Sequence, residues 1–238
     1  MPLFFDYSYF FEIKEYTQLQ IKTMIQAIIF DLDGVITDTA EYHYQAWKKL
    51  ADEENIHFGR KENERLRGVA RAESLKLILG EKNVTELEFQ EMLERKNGYY
   101  KNMINQMTDK DILPGAKELI VEAKNKGLKV AIGSSSKNAK TVLFRLGIKD
   151  IFDAITDGYS VDGVKPAPDL FLEAARLMRV ESTKCVVIED SEAGIEAAHR
   201  ASAISVGIGP HERVGKAHYR YDTVNDIQLY EILFSLAN

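Results

Sequence analysis

Cysteine occurs once in the 238 residues, at Cys185, so the chain cannot close an internal disulfide or build a cysteine-rich zinc cluster. A reducing compartment, the cytoplasm, is the expected setting. There is no basic excess either: 31 Lys and Arg stand against 37 Asp and Glu, a net charge of −6. Non-specific nucleic-acid binding and attachment to an anionic membrane both need a basic face, so neither is expected. No run reaches the ~18 consecutive apolar residues of a membrane span. Repeats and low-complexity tracts are missing. With 45% hydrophobic and 29% charged residues the composition is that of a globular protein, which excludes global disorder and collagen-like structure.

What is present starts with length. At about 150 residues per domain, 238 residues exceed most single cores and fall short of two. One large domain carrying a smaller insert fits, and a monomer is expected. Residues 1–23 hold seven of the 23 aromatics: Phe4, Phe5, Tyr7, Tyr9, Phe10, Phe11 and Tyr16. The segment does not read as a secretory signal, because no basic stretch precedes it and Asp6 and Glu12 interrupt its apolar residues. Its aromatics are expected to pack against the domain or against a partner, and Met24 is a candidate alternative start.

Ile25–Phe30 is a short apolar run that reads as a buried strand. From Ala40 to Met107 helical periodicity takes over, with His43, Trp47 and Leu50 at i, i+4 and i+7. Further helices are expected over Ala72–Leu79, stopped by Gly80, and over Glu86–Met107. Beyond Leu113-Pro114-Gly115 the pattern alternates. Strands are expected at Leu128–Ile132, near Ala154–Thr156, at Cys185–Ile188 and, last, at Ile204–Ile208, with helices between them. That alternation predicts a doubly wound parallel α/β sheet with helices on both faces. The expected organisation is an extension (1–23), a core domain (24–38 and 110–238) and an inserted helical domain (39–109).

The chemistry gathers at strand ends, where doubly wound sheets bind ligands. Asp31-Leu32-Asp33-Gly34 follows the first strand. Carboxylates at i and i+2 of an extended end point to one face, roughly 6–7 Å apart. Bare, they would repel; a divalent cation with oxygen ligands, Mg²⁺ above all, relieves that. Asp31 is then placed to attack phosphorus as a carboxylate nucleophile and Asp33 to carry the proton. The plain alternative is a turn rich in Asp and Gly. Ser134-Ser135-Ser136-Lys137-Asn138 ends the second strand and offers hydroxyls, N–H groups and a helix start to an anion, or is simply an N-cap cluster. Lys165, between Val164 and Pro166, is a fixed phosphate contact or a solvated loop lysine. Glu189-Asp190 adds carboxylates at another strand end, or favours the helix dipole. Lys96 interrupts an apolar stripe and either snorkels or faces a polar cleft. Thr39 and His43 share one helix face.

Together these sets resemble the haloacid dehalogenase superfamily of phosphotransferases over residues 24 to about 210. Within it, Phe30–His43, Arg67-Gly68-Val69-Ala70-Arg71, Arg95-Lys96-Asn97, Ser134–Asn138, Lys165-Pro166-Ala167-Pro168-Asp169 and Glu189-Asp190-Ser191 are similar to the β-phosphoglucomutase family. Arg67 stands where that family often has Lys, Ala70 where it has Ser, and Ser135 where it has Ala. The resemblance implies a Rossmann-like core with a helical cap. It also implies interconversion of β-D-glucose 1-phosphate and glucose 6-phosphate through β-D-glucose 1,6-bisphosphate, with Mg²⁺.

Carried over residue by residue, it makes Asp31 the nucleophile and Asp33 the general acid/base. Ser134 and Lys165 become contacts to the transferring phosphoryl group, and Asp31, Asp33 (through its main chain), Glu189 and Asp190 the metal site. Arg71 becomes the clamp on the distal phosphate. Gly68 and Val69 would line the sugar site, Trp47 would bind substrate, and Ser136, Lys137 and Asn138 would touch the sugar or its other phosphate, with His43 and Lys96 coupling substrate binding to the placement of Asp33. Water in place of the sugar hydroxyl would make the same machinery a sugar-phosphate phosphatase. A small phosphorylated sugar is the implied partner in both cases.

Overall fold

A computed structural model describes residues 25–66 and 69–235. The aromatic segment, Met24 and Gly68 lie outside them.

Six parallel strands form one sheet in the order β3-β2-β1-β4-β5-β6. They are β1 (Ala27–Phe30), β2 (Lys129–Gly133), β3 (Ala154–Thr156), β4 (Cys185–Glu189), β5 (Ile204–Ile208) and β6 (Tyr219–Tyr221). All pairings are parallel, and β1 lies between β2 and β4 with Phe30 opposite Ile132 on one side and Ile188 on the other. Strands buried on both faces need apolar side chains at every position, which is why β1 reads Ala-Ile-Ile-Phe without alternation.

Alternate residues still face opposite ways. Ile28, Phe30, Val130, Ile132, Val186 and Ile188 join one core, with helices α5 (Ala116–Asn125), α6 (Ala139–Arg145) and α10 (Leu229–Ser235). Ala27, Ile29, Ala131, Cys185 and Val187 join the other, against Phe171 and Ala174 of α7 (Asp169–Met178) and Ala197 and Ala198 of α8 (Glu192–Arg200). Helices on both faces make this the expected doubly wound α/β fold. Among the described residues, no helix is long and apolar enough to cross a membrane.

Between β1 and α5 the chain makes helices α1 (Ala40–Glu53), α2 (Arg60–Glu64), α3 (Arg71–Leu79) and α4 (Glu86–Ile104). Thr85 caps α4, accepting from the Glu88 N–H while Glu88 reaches back to the Thr85 N–H. Trp47, Leu50, Phe58, Leu75, Met92 and Leu93 form a third apolar cluster. The cluster boundary runs through the helices rather than around them. Ala46 of α1 and Tyr100 and Ile104 of α4 belong to the sheet's own core. The two connecting strands are tied together: Leu113 N donates to Ile36 O (2.9 Å) and Thr37 Oγ1 to Asp111 O (2.6 Å).

Two sequence expectations are corrected. Ile204–Ile208 is not the last strand, because β6 pairs with it; Tyr219-Arg220-Tyr221 is a three-residue edge strand with no apolar run to announce it. Helix α4 stops at Ile104 instead of Met107, whose buried side chain keeps the apolar periodicity going past the helix end. Helices α2, α9 (His211–Val214) and α10 also escaped the periodicity reading, at lengths of 5, 4 and 7 residues.

Candidate active site

The site lies at the carboxyl ends of β1, β2 and β4. Register carries past the strands: the Asp31 N–H donates to Ile188 O at 2.9 Å, which sets Asp31 beside Glu189 and Asp190. The chain then turns at Gly34, whose φ of +82° suits glycine and where a Cβ would collide with the Asp190 carboxylate. This turn brings Asp33 to the same cavity as Asp31. Thr39 Oγ1 donates a short hydrogen bond to Asp33 Oδ1.

Lys165 is buried (4% exposed), and its Nζ donates to Asp31 Oδ1 at 2.6 Å and to Glu189 Oε1 at 2.9 Å. The lysine thus bridges two strand ends and is no solvated loop residue. Burial alone would lower its pKa, but the two carboxylates outweigh burial and raise it. Burial pushes the Asp31 carboxyl well above the usual range; Lys165 opposes that, while Glu189, Asp33 and Asp190 add to it. Asp33 is raised as well, by burial, against the Thr39 hydrogen bond and the Lys165 charge.

Carboxylate oxygens of Asp31, Glu189 and Asp190 lie within 4.8 Å of one another. Three hard oxygen donors without sulfur or imidazole suit Mg²⁺ and do not suit a structural zinc. The three carboxylates are not equally available. Glu189 accepts from the Asp190 N–H (2.7 Å), the Ser191 N–H (3.1 Å), Ser191 Oγ (3.1 Å) and Lys165, so its oxygens are taken. The Asp33 carboxylate stands outside the cluster, held by Thr39.

Ser134, 1% exposed, follows β2, and its Oγ accepts from the Ser136 N–H at 3.1 Å. Ser136, Lys137 and Asn138 continue the cavity wall, and Lys137 Nζ stands 5.0 Å from the Tyr159 ring centroid. The opposite wall comes from the helical block: His43, Trp47, Val69, Arg71 and Lys96. Arg71 brings a buried Nη1 with no hydrogen-bond partner among the described residues. A guanidinium nitrogen left so is a demand for an anion. Gly68 cannot be placed, being outside the described residues; every other sequence-predicted site residue meets at this one cavity or, for Glu189, directly behind it.

Lys96 faces a cleft and does not snorkel. At 1% exposure its Nζ lies 2.7 Å from His43 Nδ1 and 4.6 Å from the Trp47 ring centroid. Burial, then Arg71, lowers its pKa to about 7, with Asp33 pulling the other way. Burial, then Lys96 and Arg71, also hold the His43 pKa well below its usual value, so His43 is the neutral acceptor of the pair. Unfolded Lys96 keeps its proton up to about pH 10.4. Between pH 7 and that value the unfolded chain binds more protons at this residue, so raising the pH favours folding. Thermal melts should therefore show wild type gaining stability relative to Lys96→Met from pH 7 to 10. A constant difference over that range would place the Lys96 pKa at its ordinary value.

Sequence reasoning missed Asn63, Leu66, Ser74 and Asn97 as wall residues. Asn97 adjoins Lys96 and accepts from Asn138 Nδ2 at 3.0 Å, so its neighbour was a signal for it. Asn63 sits on the five-residue α2, which gave none.

A family model described as haloacid dehalogenase-like hydrolase matches residues 25–202. β-Phosphoglucomutase of Bacillus subtilis (strain 168) is 47% identical over 189 residues, 78% of this chain and 84% of that protein. A fructose-1-phosphate phosphatase of Escherichia coli (strain K12) is 30% identical over 181 residues, 76% of this chain and 95% of that protein. The crystal structure of β-phosphoglucomutase from Clostridium difficile matches with a TM-score of 0.86 at 43% identity, covering 89% of this chain and 98% of that one. A six-stranded parallel sheet, a carboxylate cluster at its carboxyl ends and these similarities agree: the chain belongs to the haloacid dehalogenase-like hydrolase family.

Proposed function

We propose that the protein is a β-phosphoglucomutase, interconverting β-D-glucose 1-phosphate and glucose 6-phosphate by way of β-D-glucose 1,6-bisphosphate. One observation carries the choice of a mutase over a phosphatase. The cavity that holds Asp31 is also lined by Arg71, whose buried Nη1 lacks a partner among the described residues. A hydrolase needs one phosphate site; a bisphosphate needs a second cation facing the first. Residues 39–109 act in this reading as a cap over the core, and similarity to the mutases of B. subtilis and C. difficile supports it.

Asp31 attacks the phosphorus of the donor. A P–O bond to Asp31 forms, the P–O bond to the sugar breaks, and Asp33 protonates the departing sugar oxygen. In the reverse transfer the sugar's 6-hydroxyl attacks the aspartyl phosphate and gives its proton to Asp33. Thr39 fixes the Asp33 carboxyl for both directions. The raised Asp33 pKa suits a group that must hold and return a proton. Ser134 and Lys165 hold the phosphoryl oxygens, and Arg71 holds the phosphate that is not reacting. The bisphosphate must leave, turn round and rebind, so that each phosphate takes each place. Asp31, Asp190 and the Asp33 main-chain carbonyl are the residues to hold Mg²⁺, with Glu189 buttressing Lys165 behind them. A bound Mg²⁺ would supply neutralisation of the charge on the transferring group.

Incubation with β-D-glucose 1-phosphate, Mg²⁺ and catalytic bisphosphate should yield glucose 6-phosphate, and the α anomer should not react. Free phosphate from hexose phosphates with no glucose 6-phosphate would establish the phosphatase instead. Arg71→Ala should lower mutase turnover by about 10²-fold, since a misplaced substrate loses that much. The same variant should accept a phosphoryl group from acetyl phosphate onto Asp31 at nearly the wild-type rate. Equal losses in both assays would show that Arg71 is no distal clamp.

A further inference from the structure

The helical block touches the rest of the molecule on both sides of the nucleophile. The strand order puts β2 on one side of β1, with β4 and then β5 on the other. After β2, Asn138 Nδ2 donates to Asn97 of α4 at 3.0 Å. After β5, helix α9 carries Arg213, whose Nη1 lies 3.9 Å from Oε2 of Glu64 on α2.

Arg213 is the less exposed partner and Glu64 the more accessible one, with side chains 27% and 58% exposed. The Arg213 Nε is buried without a hydrogen-bond partner among the described residues, and its Nη2 lies over Gly209, where a Cβ would strike it. Val214, fully buried, roots α9 beside β5. The guanidinium presents a positive edge to a block that meets it through a carboxylate.

We propose that the Glu64–Arg213 pair positions the block over the site, and that it sets how the aspartyl phosphate divides between sugar and water. The proposal rests on the mutase reading above. In both fates the Asp31–phosphorus bond breaks. With sugar, the new P–O bond is to the 6-hydroxyl oxygen; with water, it is to water oxygen, and in each case the proton goes to Asp33. A block tied on both sides of β1 shields the phosphoryl group from water. With polar ties left only on the β2 side, at Asn97–Asn138 and Asn105–Arg145, it opens on the β5 side. A pair this exposed gives a modest bias rather than a lock, which suits a block that must open to let the bisphosphate turn round.

The measured quantity is inorganic phosphate released per glucose 6-phosphate formed. Glu64→Gln and Arg213→Gln should each raise it about two- to fivefold, the range of an exposed ion pair. The two together should add nothing beyond either one, and the charge swap Glu64→Arg with Arg213→Glu should restore the wild-type ratio. Salt should raise the wild-type ratio towards that of the variants and leave the variants unmoved. Glu196→Gln, which breaks the exposed pair with Arg200 on α8, should change nothing. Nitroxide labels at Leu87→Cys and Leu177→Cys, both exposed positions, should show longer distances in either single variant. Unchanged ratios with unchanged distances, or additive effects in the double variant, would overturn the proposal. Failure of wild type to make glucose 6-phosphate would instead overturn the mutase reading, and the label distances would still decide the role of the pair.

Discussion

Asp31→Asn should abolish turnover, by about four orders of magnitude or more, as loss of a covalent nucleophile does elsewhere. The amide keeps the shape of the side chain and a hydrogen-bonding oxygen near Lys165, so the fold should survive. It cannot form the acyl phosphate. Acid-quenched protein from incubation with labelled acetyl phosphate should carry label in wild type and none in the variant. Near-normal turnover in Asp31→Asn would remove the covalent mechanism from either the mutase or the phosphatase reading. Stability should move the other way. Burial and three neighbouring carboxylates work against a charged Asp31, with only Lys165 opposing them; a neutral amide lifts that burden, and the melting temperature should rise or hold.

Lys165→Met should act chiefly on stability. The lysine is the cation between Asp31 and Glu189, and all three side chains are nearly inaccessible, at 1%, 9% and 0% exposure. A buried ion pair is worth little against an apolar replacement of the whole set, but removing one partner leaves the other charges uncompensated and costs about 3–5 kcal/mol. For a domain of ordinary stability that is a large fraction of the total. Methionine fills much of the same volume, so a cavity does not confuse the result. Denaturant unfolding should show the loss, and excess Mg²⁺ should recover more of it in the variant than it adds to wild type, because a second cation is then the only one left among these carboxylates. No loss of stability, or equal recovery in both, would mean that Lys165 carries no such burden. Activity should fall as well, since the same Nζ would hold the phosphoryl oxygens.

Much of this site was legible in the sequence because its residues sit just past apolar runs. Asp31 follows Ile25–Phe30 and Glu189 follows Cys185–Ile188, and a fully buried strand announces itself by composition. The helix stop at Gly80 was readable from chemistry within a few residues. What was not legible depended on distance along the chain or on brevity. Lys165 meets Asp31 across 134 residues, and nothing near Lys165 tells a paired lysine from a solvated one. The Asn97–Asn138 contact spans 41 residues. Strand β6 and helix α2 are too short for a period to repeat, so neither Asn63 nor Glu64 could be placed. Glu189 illustrates a partial reading. Its oxygens do serve the backbone N–H groups at the start of a helix, as a structural reading has it, and they hold Lys165 as well.

Helix α4 has a consequence for how the molecule comes apart. Its first half supplies Met92 and Leu93 to one apolar cluster and its second half supplies Tyr100 and Ile104 to another, while α1 is divided in the same way at Ala46 and Trp47. Two bodies joined only by loops can melt in sequence. Two bodies that share rods cannot, because unwinding α4 on one side strips side chains from the other. The helical block and the sheet therefore stand or fall as a single cooperative unit, even though the proposed reaction asks the block to open and let the bisphosphate turn round. Lys96 and His43 mark the level at which both helices pass from one cluster to the next, and their contact with each other and with the Tyr100 ring keeps that level filled.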